Sequence, residues 1–289
     1  PANSLQASAN PGDTVTLTGV GLDDQTFVIF PVVDSYGRIT TKVVRPTIVS
    51  ADGASAIVTV PLDAVTGTVR VLGSAAAFPL QIVPIVTDAQ VEYGSASSGT
   101  VSVVLTGYGF VDNAADAFFG FGTGSFGDDG GNISVSSASD GGEYRPNGQV
   151  RLTIPLTADV FGAITATTAG GTSAAFTRSL ASVVATAFSG TLPSPAVPSA
   201  NPGQAVTLLG SGLSTDSNVI VRYVDGYGSA RATVVRPSFA QIDGTRATLL
   251  LPSDVSGTVD LWVLGSSSRP QVEIVPAAPP DRKSTCLNS

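Results

Sequence analysis

The chain of 289 residues contains no histidine and no methionine, and its one cysteine, Cys286, lies close to the end. Without imidazole or paired thiols there is no disulfide framework, no thiolate zinc site and no histidine-based acid–base catalysis. Charge is scarce as well: Asp, Glu, Lys and Arg make up 12% of the residues, and 22 acids against 14 bases leave a net charge of −8. An acidic field of this kind repels phosphate backbones and anionic membrane surfaces, which excludes nucleic acid as a partner. The longest apolar runs fall far short of the ~20 residues that a membrane-spanning helix needs, so the sequence contains no transmembrane segment. No stretch carries a helical period.

What is present is glycine, 32 residues, and proline, 19, spread along a chain that is 43% hydrophobic. Short runs rich in Val, Thr and Ala are bounded by Gly, Pro, Asp or Asn, the pattern of many short strands joined by turns. In Thr14–Thr18, Val15 and Leu17 point to one face and the threonines to the other. Similar runs place strands at Thr26–Val33, Arg38–Val44, Ala56–Val60, Gly67–Leu72 and Phe78–Val83, with a short edge strand near Leu5. The Asp52-Gly53 and Asp243-Gly244 pairs mark tight turns.

Internal repetition organises these runs. Asn10-Pro11-Gly12 recurs as Asn201-Pro202-Gly203, and the match continues in register. Val15-Thr16-Leu17 faces Val206-Thr207-Leu208, and Gly19, Gly21 and Leu22 face Gly210, Gly212 and Leu213. Val43-Val44-Arg45-Pro46 faces Val234-Val235-Arg236-Pro237, and Ile82-Val83-Pro84 returns as Ile274-Val275-Pro276. A more distant copy lies between them, where Val103-Val104-Leu105-Thr106-Gly107-Tyr108-Gly109-Phe110 repeats the stretch from Val15 to Leu22. The expected division is residues 1–84, 85–181 and 182–276, each closing its own core, with a Gly-rich loop at 120–131 in the middle copy. Because the outer copies resemble each other more than the middle one, the duplicated unit reads as a pair. The residues after Pro276 in a longer parent would then resemble Val91–Phe110. About seven strands per copy, with turn signals every 8 to 12 residues, predict an all-β chain of tandem immunoglobulin-like β-sandwiches.

The Pro-Gly start, the alternating Val/Thr/Leu run, the Gly-x-Gly-Leu or Gly-x-Gly-Phe bend and the closing Ile-Val-Pro strand resemble the IPT/TIG family. That resemblance implies an immunoglobulin-like fold of a kind found in plexins, some transcription factors, sugar-processing enzymes and long bacterial surface proteins. The basic loops of the DNA-binding members and the cysteines of the plexin copies have no counterpart here, so the bacterial extracellular branch fits best. The segment 277–289 is expected to be a disordered tail. Its part from Asp281 to Ser289 resembles a translated sequencing adapter and is set aside from fold reasoning. A chain that opens at Pro1 without any methionine reads as a fragment of a longer one.

Candidate chemistry is sparse. Gly122-Thr123-Gly124-Ser125-Phe126-Gly127 satisfies the dinucleotide fingerprint only as a string, because no helix is predicted to follow it. Asp128, Asp129 and Asn132 could offer oxygen ligands to calcium, although their spacing fits no standard loop, and no other cofactor is indicated. The recurring set Asp34, Tyr36 and Arg45, mirrored by Asp225, Tyr227 and Arg236, flanks a predicted hairpin. It reads either as turn chemistry or as a repeated polar-aromatic patch for a glycan or protein. Trp262 reads as a partly buried strand aromatic rather than a sugar platform. No constellation of carboxylates suggests an enzyme. The sequence thus predicts a non-catalytic extracellular repeat region, secreted or at a bacterial cell surface, acting as a spacer or adhesive module whose repeats contact their neighbours in the chain. The alternative is an accessory, carbohydrate-binding module of a larger carbohydrate-active enzyme.

Overall fold

A computed structural model describes residues 1–92, 100–111, 117–122, 124–127, 148–155, 162–190, 197–225 and 227–277. Among them the regular structure is strand, with no helix. The first repeat contains β1 (Ala7–Ala9), β2 (Thr14–Thr18), β3 (Val28–Val33), β4 (Ile39–Val44), β5 (Ile48–Val49), β6 (Ser55–Thr59), β7 (Gly67–Val71) and β8 (Ala77–Ile82). These form a five-stranded sheet, β1-β8-β7-β3-β4, packed on a three-stranded one, β2-β6-β5. Apart from β5, which alternation and turn signals do not mark, the strands fall within a residue or two of the positions those signals give.

The middle copy supplies β9 (Ile85–Val91), β10 (Thr100–Tyr108), β11 (Phe118–Phe121), β12 (Gly124–Gly127), β13 (Gln149–Pro155), β14 (Ile164–Thr168) and β15 (Gly171–Thr172). Its sheets run β13-β10-β9 and β12-β11-β14-β15. The third copy supplies β16 (Ser179–Val184), β17 (Ser199–Ala200), β18 (Ala205–Ser211), β19 (Val219–Val224), β20 (Ala230–Val235), β21 (Phe239–Ala240), β22 (Arg246–Leu250), β23 (Ser256–Val263) and β24 (Gln271–Ile274). Its five-stranded sheet, β17-β24-β23-β19-β20, has the same order as the first, and its partner sheet is β16-β18-β22-β21. In the first and third copies an early strand pairs in parallel with the last one, and antiparallel neighbours complete the sheet, an immunoglobulin-like sandwich arrangement.

Two differences from the sequence reading are physical. Part of the expected Gly-rich loop is strand, because Phe119 and Phe121 alternate with Gly120 and drive β11 inward, where Phe110 meets Phe119 edge-on at 5.4 Å. β16, which the expected division at 181/182 cuts, pairs along its length with β18. The match between the two outer copies opens at Asn10 and Asn201, after β16, so it could not locate the start of that strand.

Three apolar cores result, but the middle one is not closed by its own residues. Val28, Phe30, Val32, Val58 and Ile82 fill the first, and Leu208, Val221, Leu249 and Leu261 belong to the third. The middle core of Val103, Leu105, Phe119, Ile154 and Ile164 also takes in Ile220, Val234, Trp262 and Leu264, from the outer face of the third copy's five-stranded sheet. Each such buried side chain contributes roughly 1.5–3 kcal/mol relative to exposure. Polar groups finish the junction: the Arg178 guanidinium, its side chain only 10% exposed, donates to the Asp88 carboxylate and to the Ala89 carbonyl. The Asn218 amide donates to the Val91 carbonyl, and the Gly162 N–H donates to the Ser266 carbonyl at 2.8 Å.

Candidate functional site

The recurring Asp and Tyr sit at the tips of the β3–β4 and β19–β20 hairpins. A two-strand reversal leaves backbone N–H groups at its apex without ladder partners, and a carboxylate at the first turn position can accept them. Asp34 Oδ1 accepts from the backbone N–H of Tyr36 at 2.8 Å and of Arg38 at 2.9 Å. Asp225 Oδ1 does the same for Tyr227 and Ser229, both at 2.9 Å. Gly37 and Gly228 complete the reversals at φ 76 and 82, where a side chain would be strained.

The second carboxylate oxygen holds an arginine. Arg38 Nε donates to Asp34 Oδ2 at 2.8 Å, and Arg231 Nε donates to Asp225 Oδ2 at 2.9 Å. Arg38 also lies over the Tyr36 ring, 5.1 Å from its centroid, in a cation–π contact. Both carboxyl pKa values fall below the ordinary range. The backbone N–H of Arg38 is the largest cause for Asp34, and that of Ser229 for Asp225, followed in each by the arginine side chain. Pairing in turn raises the Arg231 guanidinium. The aromatic rings themselves are open, Tyr36 at 78% exposure and Tyr227 at 96%.

Arg45 and Arg236 do not join these tips. Each follows the far end of its strand, about 20 Å from the turn at ~3.3 Å per residue. Arg45 instead covers the Phe27 ring at 4.9 Å, and Arg236 is exposed beyond β20. Sequence comparison missed Arg38 and Arg231 because they stand four and six residues after their aspartates. No shared position betrays them, although both reach the same oxygen.

Asp128, Asp129 and Asn132 lie outside the described residues. Among the described residues no group of three or more His, Cys, Asp or Glu is placed to hold a metal ion. The Gly-x-Gly-x-x-Gly string leads into a β-hairpin, with Phe121 opposite Gly124, so no helix N-terminus faces a pyrophosphate there. Trp262 is buried between the guanidinium groups of Arg222 at 4.6 Å and Arg269 at 5.4 Å and presents no open ring face. At the hairpin tips the surfaces left open to solvent are the Tyr36 and Tyr227 rings, while each aspartate carboxylate is already engaged by backbone N–H groups and an arginine.

No family model and no curated protein matches the chain. Among solved structures, it is similar to a protein crystallised with a xylogluco-oligosaccharide, at 13% identity and a TM-score of 0.27, covering 91% of this chain but 57% of that one. It is also similar to a tetra-tandem repeat in the extending region of a large adhesion protein, at 17% identity and a TM-score of 0.20 over 90% of this chain and 72% of that one. A third likeness, to SGBP-B from a complex xyloglucan utilization locus in Bacteroides uniformis, has 12% identity and a TM-score of 0.22, covering 92% and 96% of the two chains. At such identities and TM-scores these likenesses carry no argument about activity. The chain itself is a β-sandwich repeat protein of the immunoglobulin-like kind.

Proposed function

We propose that the chain is a non-catalytic extracellular repeat region of a bacterial surface or secreted protein, working as a spacer or adhesive module. The observation that carries this reading is the junction at Trp262: a sheet face buried in a neighbouring repeat's core fixes the direction of one unit on the next. A region whose task is to hold something at a set distance needs that stiffness, and a catalytic domain does not. The repeats are of the IPT/TIG type in this reading, on the strength of the glycine bend before Leu22, Phe110 and Leu213. Small-angle scattering on the isolated chain tests it: one fixed arrangement of the second and third repeats is expected, and a freely hinged pair would overturn it.

The open Tyr36 and Tyr227 rings favour a second reading, a carbohydrate-binding accessory module. Saturable binding of a soluble oligosaccharide, lost in the Tyr36→Ala/Tyr227→Ala double variant, would decide for it. A passive spacer binds none.

A further inference from the structure

The turn itself accounts for the aspartate and glycine that recur at the two hairpin tips, but it does not account for the arginines. With the turns aligned, Arg38 stands opposite Ser229 and Arg231 opposite Thr40, so the two guanidinium groups come from positions two residues apart. Such positions lie on one side of a strand, and both arginines reach Oδ2 of their aspartate through Nε. The residue has changed place while the contact has stayed. Folding does not demand that contact, because the turn uses Oδ1 and an exposed ion pair adds little stability. The tyrosine ring, open in both copies, is no more necessary to the sandwich core. Beyond the turn, what the two copies share is a guanidinium and an open aromatic ring on one tip.

The groups left open on this pair define a ligand. Each carboxylate is engaged at both oxygens and largely covered, so it offers a ligand no open acceptor. The arginine side chains are 73% and 60% exposed. Asp34 takes Nε and one Nη of Arg38, and Asp225 takes Nε of Arg231, so both guanidinium groups keep N–H donors facing solvent. A ligand must therefore accept hydrogen bonds and lay an apolar face on a ring, as a pyranose does with its hydroxyl oxygens and its C–H face. The same groups set its charge. Backbone N–H donors lower the pKa of both aspartates and keep them ionised, which cancels the guanidinium charge where it stands. An anionic ligand would compete with a carboxylate that two backbone N–H groups hold in place, in a chain of net charge −8 whose field repels it. A cationic ligand would meet the arginine first.

We propose that the two tips are equivalent sites for sugar residues of an uncharged polysaccharide, with Arg38 and Arg231 donating to its hydroxyl oxygens while Tyr36 and Tyr227 stack on its rings. The proposal rests on the carbohydrate-binding reading above and adds to it the charge class of the ligand and the two arginines as its specificity-determining residues. A protruding turn touches one side of a sugar chain and needs no chain end, so the ligand is a polymer met along its length. The aspartates act through the arginines: they hold each guanidinium in place and neutralise it.

The probe is an array of immobilised polysaccharides, neutral ones beside uronate- and sulfate-bearing ones, incubated with the fluorescently labelled full chain. Saturable binding confined to neutral members is expected. On those members the Arg38→Leu/Arg231→Leu double variant binds at least tenfold more weakly, with its unfolding midpoint and the backbone amide resonances of Tyr36 and Tyr227 unchanged. Either single arginine change leaves binding between the two, because one tip still works. Equal or stronger binding to the charged members overturns the proposal and leaves the carbohydrate reading standing. So does binding that survives the double arginine change but is lost in Tyr36→Ala/Tyr227→Ala. No binding to any member overturns both.

Discussion

Gly107 and Gly210 have no positive φ to justify them; what they supply is the absence of a side chain under a crossing carbonyl. Gly107→Ala and Gly210→Ala should therefore each cost about 1–3 kcal/mol, the range for forced overpacking with backbone displacement. Urea unfolding followed by fluorescence checks this, and a cost below about 0.5 kcal/mol, ordinary for a surface change, would contradict the assigned contact. The hairpin aspartates make a second prediction. Their pKa values are lowered in the native state, so the stability they add is present above the ordinary carboxylate range and is lost as pH falls through the lowered native values. A carbon-13 carboxyl titration should find Asp34 and Asp225 titrating below the ordinary carboxylate range, and Asp225→Asn should flatten the acid limb of the unfolding curve. The sequence disclosed the aspartates and tyrosines of this site because they recur in register. It hid the arginines, because a long flexible side chain can reach one carboxylate oxygen from two different strand positions.

Strand alternation was legible wherever one face of a sheet is wet. Thr14–Thr18 has that simple period, and β2 lies at the residues it marks. The end of β23 in the third copy's five-stranded sheet is covered on both faces, and there the pattern of alternate burial disappears: Leu261, Trp262, Val263 and the following Leu264 are all buried. The matching residues in the first copy behave differently. Val43 and Leu72 are 55% and 64% exposed, against 5% and 3% for Val234 and Leu264. No local property of Val-Val-Arg-Pro or Val-Leu-Gly-Ser separates these cases; the difference is what stands opposite, which one copy's sequence does not contain. Trp262→Ala should accordingly cost about 3–5 kcal/mol, the range for emptying a large buried aromatic site. Hydrogen exchange should then speed up in β10 and β13 of the middle copy as well as in the third. Leu72→Ala should stay within about 0.5 kcal/mol of the parent.

The shared core couples the second and third repeats into a single cooperative unit, while the first repeat retains a separate core. Calorimetry on the intact chain should show residues 85–276 melting in one transition and the first repeat in another. Two separate transitions for the middle and third copies would show the junction to be weaker than its buried residues imply. The pairing of β1 with β8 and of β17 with β24 bears on a different property, the response to tension. In each case an early strand of the sandwich lies parallel to its last strand, Ala7 opposite Leu80 and Ser199 opposite Glu273. Pulling on the two ends of such a repeat drags these strands in opposite directions along their length, so the hydrogen bonds between them are sheared together instead of being peeled one by one. A chain pulled at its ends would thus resist abruptly, giving way at a force set by this short parallel patch before the rest of either sandwich bears load.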